Sequence, residues 1–128
     1  MKWGLIIFTL AITTNFSYSQ NKPTASSVQE LLHGKWQSMD DKTNFLFFEK
    51  NIRKEISGGM NTWEKENFVL SDKCLNESDK ESGIEKNKDK FISCVESDMC
   101  WYIISINKDF LSLSYIGRGN TLKYKRVK

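Results

Sequence analysis

From Trp36 to Val127 the chain alternates short apolar runs with clusters of Gly, Asn, Asp and charged residues, a rhythm of strands and turns rather than of helices. The clearest stretch is Cys100 to Val127. Its three alternating segments are broken at Asn107-Lys108-Asp109 and at Gly117-Arg118-Gly119-Asn120, which reads as a three-stranded antiparallel meander. The apolar face of a meander needs partners, and similar segments upstream supply them: Lys35 to Met39, Asn44 to Lys50, Ile52 to Ser57, Thr62 to Ser71 and Phe91 to Val95. Asp40-Asp41-Lys42-Thr43 and Gly58-Gly59-Met60-Asn61 are the connecting turns. With Cys100 to Ile106, Phe110 to Ile116 and Thr121 to Val127 the series reaches about eight strands, the number at which a closed barrel fills itself or holds one small ligand. The expected fold is all-β, a closed antiparallel up-and-down β-barrel, with a two-sheet sandwich as its competitor.

Two segments depart from the strand rhythm. Ser27-Val28-Gln29-Glu30 fits a capping box ahead of Leu31 and Leu32, with Gly34 as the stop, so a helix of one to two turns is expected to cover one end of the barrel. The polar residues before it, which include the only proline, Pro23, are expected to form a flexible lead-in; lead-in and helix start together span residues 20–30. Ser71 to Lys90 is nearly all polar, with Leu75 and Ile84 its only large aliphatics, and reads as a long flexible loop on the barrel rim pinned at Cys74. Asn76-Glu77-Ser78 matches a glycosylation acceptor, a pattern that is common by chance.

At 128 residues the chain holds one domain, placed at residues 31–128. Residues 1–19 read as an export signal: Lys2 is the positive end, Trp3 to Ile12 the apolar core, and Ser17-Tyr18-Ser19 the small-residue cleavage region. That core is about half the length a bilayer span requires, so no membrane span is expected after cleavage. With no cysteine near the cleavage point, the product is expected free in the periplasm or secreted, not lipid-anchored, and monomeric. Cleavage removes one charge, Lys2, and leaves +3 − 1 = +2, too balanced to favour nucleic acid or an anionic membrane.

Export gives the cysteines meaning. Of Cys74, Cys94 and Cys100, two are expected to form a disulfide. A four-residue turn at Glu96 to Met99 would pair Val95 with Cys100 and leave Cys94 one position off register. The preferred bridge is therefore Cys74–Cys100, with Cys94 a buried free thiol that lacks an adjacent base to activate it. His33, the only histidine, has no nearby cysteine, so no metal and no cofactor are expected.

Side chains alternate along a strand, so Leu122, Tyr124 and Arg126 share a face. If that face points inward, pairing of the first strand with the last sets Arg126 beside Trp36, a cation–π pair at the barrel seam. On these residues the chain resembles the lipocalins: Gly34-Lys35-Trp36 after a short helix looks like their Gly-x-Trp signature, and Arg126 matches the arginine that packs on that tryptophan. It resembles more closely the short lipocalin-like secreted proteins of Bacteroidetes, of the calycin group, through Gly34-Lys35-Trp36-Gln37-Ser38, Cys100-Trp101-Tyr102-Ile103 and Gly117-Arg118-Gly119-Asn120-Thr121-Leu122-Lys123-Tyr124. The resemblance implies a lipocalin-like barrel with Trp36 and Arg126 as its closing pair. Short strands and the lack of a C-terminal helix imply a shallow interior.

Phe45, Phe47, Trp63, Phe68, Tyr102 and Tyr115 are the candidate lining of a pocket for a small hydrophobic molecule, with plain core packing as the alternative. Arg118, between two glycines, reads as a turn residue that caps nearby carbonyls. Glu49, Glu55, Glu64 and Glu66 fall on strands read as solvated, without a convergent partner, so no acid/base pair is expected. His33 is the one imidazole base and sits before the barrel, which leaves serine hydrolysis without support. No catalytic residue is assigned. The expected function is binding of a small apolar or amphipathic ligand without catalysis. The alternative is an inhibitor or immunity-type module that acts through its surface, with Ser71 to Lys90 as the contact element.

Overall fold

The computed structural model describes residues 27–128; the expected export signal and the lead-in up to residue 26 lie outside the described residues. A five-residue helix, α1 (Val28–Leu32), opens the described chain, and the Ser27 hydroxyl accepts the Glu30 N–H at its start. Nine strands follow: β1 (Gly34–Ser38), β2 (Phe45–Glu49), β3 (Ile52–Ile56), β4 (Glu64–Asn67), β5 (Val69–Ser71), β6 (Phe91–Cys94), β7 (Met99–Ile106), β8 (Phe110–Tyr115) and β9 (Asn120–Arg126). All pairings are antiparallel, in the order β4-β3-β2-β1-β9-β8-β7-β6-β5.

The two edge strands of this sheet, β4 and β5, are consecutive in sequence and separated by Phe68 alone. The chain itself therefore bridges the edges, and the sheet curls into a nearly closed barrel. The count is nine rather than eight because the segment Thr62 to Ser71 is divided. Its first part pairs with β3 and its second with β6, and strand twist prevents one straight segment from serving both neighbours. Phe68 marks the bend: its N–H donates to the Asn51 carbonyl at 2.8 Å, and its buried ring meets Phe48 edge-on at 5.4 Å.

Trp36 is fully buried and sets which face of the sheet is inside. Its indole Nε1 donates to the Leu32 carbonyl at 2.9 Å, which ties α1 across the end of the barrel. Arg126 is its register partner on β9, with the guanidinium 4.1 Å from the ring centroid. The same guanidinium donates to the carbonyls of His33 at 2.8 Å, Lys108 at 2.5 Å and Leu31. Gly34 belongs to β1 rather than to the helix stop; its φ is +119°, and a Cβ there would lie 2.7 Å from Arg126 Nη1. Only glycine meets both conditions. Leu32 from α1 and the strand residues Leu46, Phe48, Phe68, Ile92, Ile103, Leu111 and Leu113 form the buried core with Trp36.

The segment between β5 and β6 is attached at more points than the one at Cys74 that the sequence suggested. It lies against the outer face of β6 and β7 and is fastened there from Cys74 to Ser78 and again at Asn87. Cys74 and Cys100 form the expected disulfide, over a second small core with Phe91, packed by Tyr102 and Ile116. Leu75 N–H donates to Ser93 Oγ at 3.0 Å, Asn87 N–H to the Asp72 carbonyl at 3.0 Å, and Asn87 Nδ2 to the Tyr102 hydroxyl at 3.1 Å. Asn76 is fully buried and donates to Asp79 and Asp98, so the glycosylation match is closed in the folded protein. Polar residues fasten this strap through hydrogen bonds to residues 15 to 22 positions away, contacts that a count of aliphatics does not register.

Two outcomes test this account. Arg126→Met is expected to lower stability by about 2–4 kcal/mol in urea titrations, the sum of a lost cation–π contact and stranded carbonyls, and Arg126→Lys to recover less than half of it. Reduction of Cys74–Cys100, which are 26 residues apart, is expected to cost about 3.5 kcal/mol by loop entropy. An unchanged urea midpoint in either experiment contradicts the corresponding assignment.

Candidate functional site

At the end of the barrel opposite α1 the core gives way to a cavity of about 360 Å³. Arg53 and Glu55 from β3, Met99 and Trp101 from β7, Tyr115 from β8, and Leu122 and Tyr124 from β9 line it, with Arg118 and Asn120 at the mouth. The unexpected member is Arg53, which is 5% exposed. A two-residue turn at Lys50-Asn51, with Lys50 at φ +55°, pairs Phe48 with Arg53. Phe48 faces inward, so Arg53 must do the same. Ile52, Lys54 and Ile56 then fall on the outer face.

A charge inside a barrel requires compensation. Arg53 Nη1 donates to Glu66 at 2.8 Å and Nη2 to Glu55 at 3.3 Å. Its guanidinium also lies 4.2 Å from the Trp101 ring centroid. The carboxylates are held in turn: Glu66 accepts from Ser97 Oγ at 2.5 Å, and Glu55 from Asn44 Nδ2 at 2.9 Å. Arg53 Nε is buried with no partner. A buried N–H of a cation without an acceptor is costly, and it marks a place where an oxygen would be welcome.

This arrangement overturns the view of Glu55 and Glu66 as solvated carboxylates without a partner; both converge on Arg53. It also sets the protonation of its neighbours. Burial pushes the Tyr124 hydroxyl up to about 12, and Glu55 adds to the shift while Arg53 opposes it. Burial first, and Glu66 second, push the Cys94 thiol up to about 12, against the pull of Arg53. Cys94 is the free, buried thiol of the sequence reading, and with this pKa it is a neutral, unreactive group. The β6–β7 turn spans Val95 to Asp98, one residue earlier than expected, so Cys94 pairs with Met99 and Ser93 with Cys100. Cys94 thereby faces the interior, while Cys100 faces the strap.

Of the six aromatics proposed as lining, only Tyr115 borders the cavity. Phe68 is core. Phe45 and Phe47 lie on the outer face, because Leu46 and Phe48 take the inner one; Trp63 packs outside with them, under Lys35. Tyr102 faces the strap and stacks edge-on with Phe91 at 5.1 Å. Arg118 lines the cavity mouth instead of serving as a turn cap. Its flanking glycines have different roles: Gly119 has φ +69°, whereas Gly117 accommodates the Tyr115 ring, 3.3 Å from where a Cβ would lie.

Chemically the cavity offers an aromatic and thioether wall, a compensated arginine with one free donor, and a second arginine at the rim. Among the described residues no group of three His, Cys, Asp or Glu side chains is placed to hold a metal ion, and no helix is long and apolar enough to cross a membrane. Comparison with family models, curated proteins and solved structures finds no match to this chain.

The thiol and phenol make the alkaline limb of stability predictable. Their ordinary values are 9.0 and 10.0, and both reach about 12 in the fold. Each group stays protonated in the fold while the unfolded chain ionises. Their contribution is therefore complete below pH 9.0 and is lost as pH rises through about 12. Urea titrations are expected to show stability falling across that window, with a shallower slope in Cys94→Ala. Labelling of Cys94 by a thiol reagent in folded protein near pH 8 would contradict its burial as a neutral group.

Proposed function

We propose that this protein is an exported, lipocalin-like carrier that binds one small amphipathic molecule at the open end of its barrel, without catalysis. The single observation that carries the proposal is Arg53: a buried cation stacked on Trp101, facing a cavity and holding one unused donor. Met99, Trp101, Tyr115 and Leu122 favour a flat or apolar body, and Arg53 and Arg118 favour an oxygen-bearing head, so the amphipathic class is preferred to the purely apolar one. The N-terminal signal pattern and the Cys74–Cys100 bridge support an oxidising compartment outside the cytoplasm. The lipocalin-like assignment is supported by the antiparallel barrel order and by Arg126 on Trp36 behind a short helix.

The test uses 8-anilinonaphthalene-1-sulfonate, an aromatic anion, and dodecanoate as competitor. Saturable binding of one equivalent of dye, displaced by dodecanoate, is expected. Trp101→Leu and Arg118→Gln should each weaken it by about tenfold. Arg53→Met should do the same where circular dichroism shows the fold retained. Dye binding that is indifferent to Trp101→Leu and Arg118→Gln would sink the proposal, as would the absence of any binding by either probe.

A further inference from the structure

The outer face of β1 to β4 carries a row of side chains that the carrier function does not use. Trp36 points inward, so Lys35 points out, and the register extends the row across the sheet. Lys35 is opposite Phe47, Phe47 opposite Lys54, and Lys54 opposite Lys65. Trp63 closes the group, and together these five residues line a second cavity, of about 310 Å³, on the outside of the barrel.

Two features separate this face from an ordinary solvated one. Lys54 and Lys65 are direct cross-strand neighbours, and like charges in that position are destabilising. Only Glu49, 3.3 Å from Lys54 Nζ, forms an ion pair with any of the three lysines among the described residues. Three cations against one carboxylate leave a local surplus of 3 − 1 = +2. On the inner face of the same hairpin the arrangement is reversed, with Arg53 held between Glu55 and Glu66. Two of the lysines are also positioned. Lys35 Nζ sits 4.7 Å from the Phe45 ring centroid and 5.8 Å from that of Trp63, and Lys54 Nζ sits 5.5 Å from that of Phe47. Aromatic faces hold cations in place, which lowers the entropy lost when an anion arrives.

We propose that this outer cleft is a binding site for a small phosphate ester with a planar ring, of the nucleoside monophosphate class. A phosphate dianion matches the surplus of two positive charges, and Lys35, Lys54 and Lys65 can donate to its oxygens. The ring packs on the apolar wall that Trp63 and Phe47 contribute to the cavity. The volume is at the lower end of the range for small-molecule sites and suits one such ester rather than a folded partner. Nothing in this site is shared with the interior cavity, since the two lie on opposite faces of β3.

The test is a titration of the isotope-labelled protein with adenosine monophosphate at low salt, followed through the indole N–H signals, with Trp63 identified by its loss in Trp63→Phe. Saturable movement of the Trp63 signal is expected, with the Trp36 and Trp101 signals unmoved, and binding should weaken as salt is added. Lys54→Gln combined with Lys65→Gln removes a repulsive pair, so it should keep the fold by circular dichroism while affinity falls about tenfold. Trp63→Leu should still bind inorganic phosphate but lose the preference for the nucleotide over phosphate. Three results would overturn the site: equal affinity of the wild type for nucleotide and inorganic phosphate, unchanged binding in the double lysine variant, or movement of the Trp101 signal instead of that of Trp63. A thymidine oligonucleotide that displaces the nucleotide with far higher affinity per site would overturn the small-molecule assignment in favour of a surface for single-stranded nucleic acid.

Discussion

Everything in this fold depends on where Trp36 points. Its indole is buried at the end of the barrel, hydrogen-bonded to Leu32 and covered by Arg126, so it holds together three parts of the chain that are distant in sequence. The helix cannot leave without stranding the indole N–H. β9 cannot slip without removing the guanidinium from three carbonyls. Since side chains alternate, the inward position of this one residue also dictates the face of every neighbouring side chain. Leu46 and Phe48 go in and Phe45 and Phe47 go out. One turn later Arg53 goes in and Lys54 goes out.

That propagation explains why the upper half of the barrel is polar. An arginine forced inward by register cannot be left bare, and the neighbouring strand supplies Glu66 while β3 itself supplies Glu55. The trio is too hydrophilic to be sealed under hydrocarbon, and the cavity above it leaves Glu55 partly open to solvent. The barrel is thus divided: a hydrocarbon plug near α1 provides stability, and a charged, aromatic cup at the other end provides chemistry. The cost of desolvating Arg53 is met by its two carboxylates and by Trp101, with one donor to spare.

The architecture was legible in the sequence, because alternating segments and Gly/Asn turns are local signals. Strand positions, the helix cap and the Trp36–Arg126 pair follow from spacing and register, whereas the Cys74–Cys100 bridge was a preference reached through a turn that lies one residue from where the sequence put it. The cup was not legible in the same way. Ile52-Arg53-Lys54-Glu55-Ile56 invites the view that its isoleucines face the core, and hydrophobicity alone places Arg53 in solvent. The signal that corrects it was present: a two-residue turn after Phe48 forces Arg53 to share the face of Phe48, and Trp36 says which face that is. The same step would have moved Phe45 and Phe47 outside. The strap is not legible in composition for another reason, since the hydrogen bonds of Asn76, Ser78 and Asp98 are tertiary and leave no mark there.

The β3–β4 hairpin shows what this forced alternation produces. Its residues are nearly all charged, yet the charges are sorted: Arg53, Glu55 and Glu66 inside, Lys54 and Lys65 outside. A pattern selected only for solubility would intersperse the signs on the outer face, where water and salt bridges are available at little cost. Here the opposite charges are gathered inside, where desolvation makes every ion pair demanding, and a like-charge pair is left outside among aromatic rings. An inner cup and an outer basic cleft on the two faces of one strand are the physical consequence. Neither face can be altered by a one-residue shift without exchanging the two.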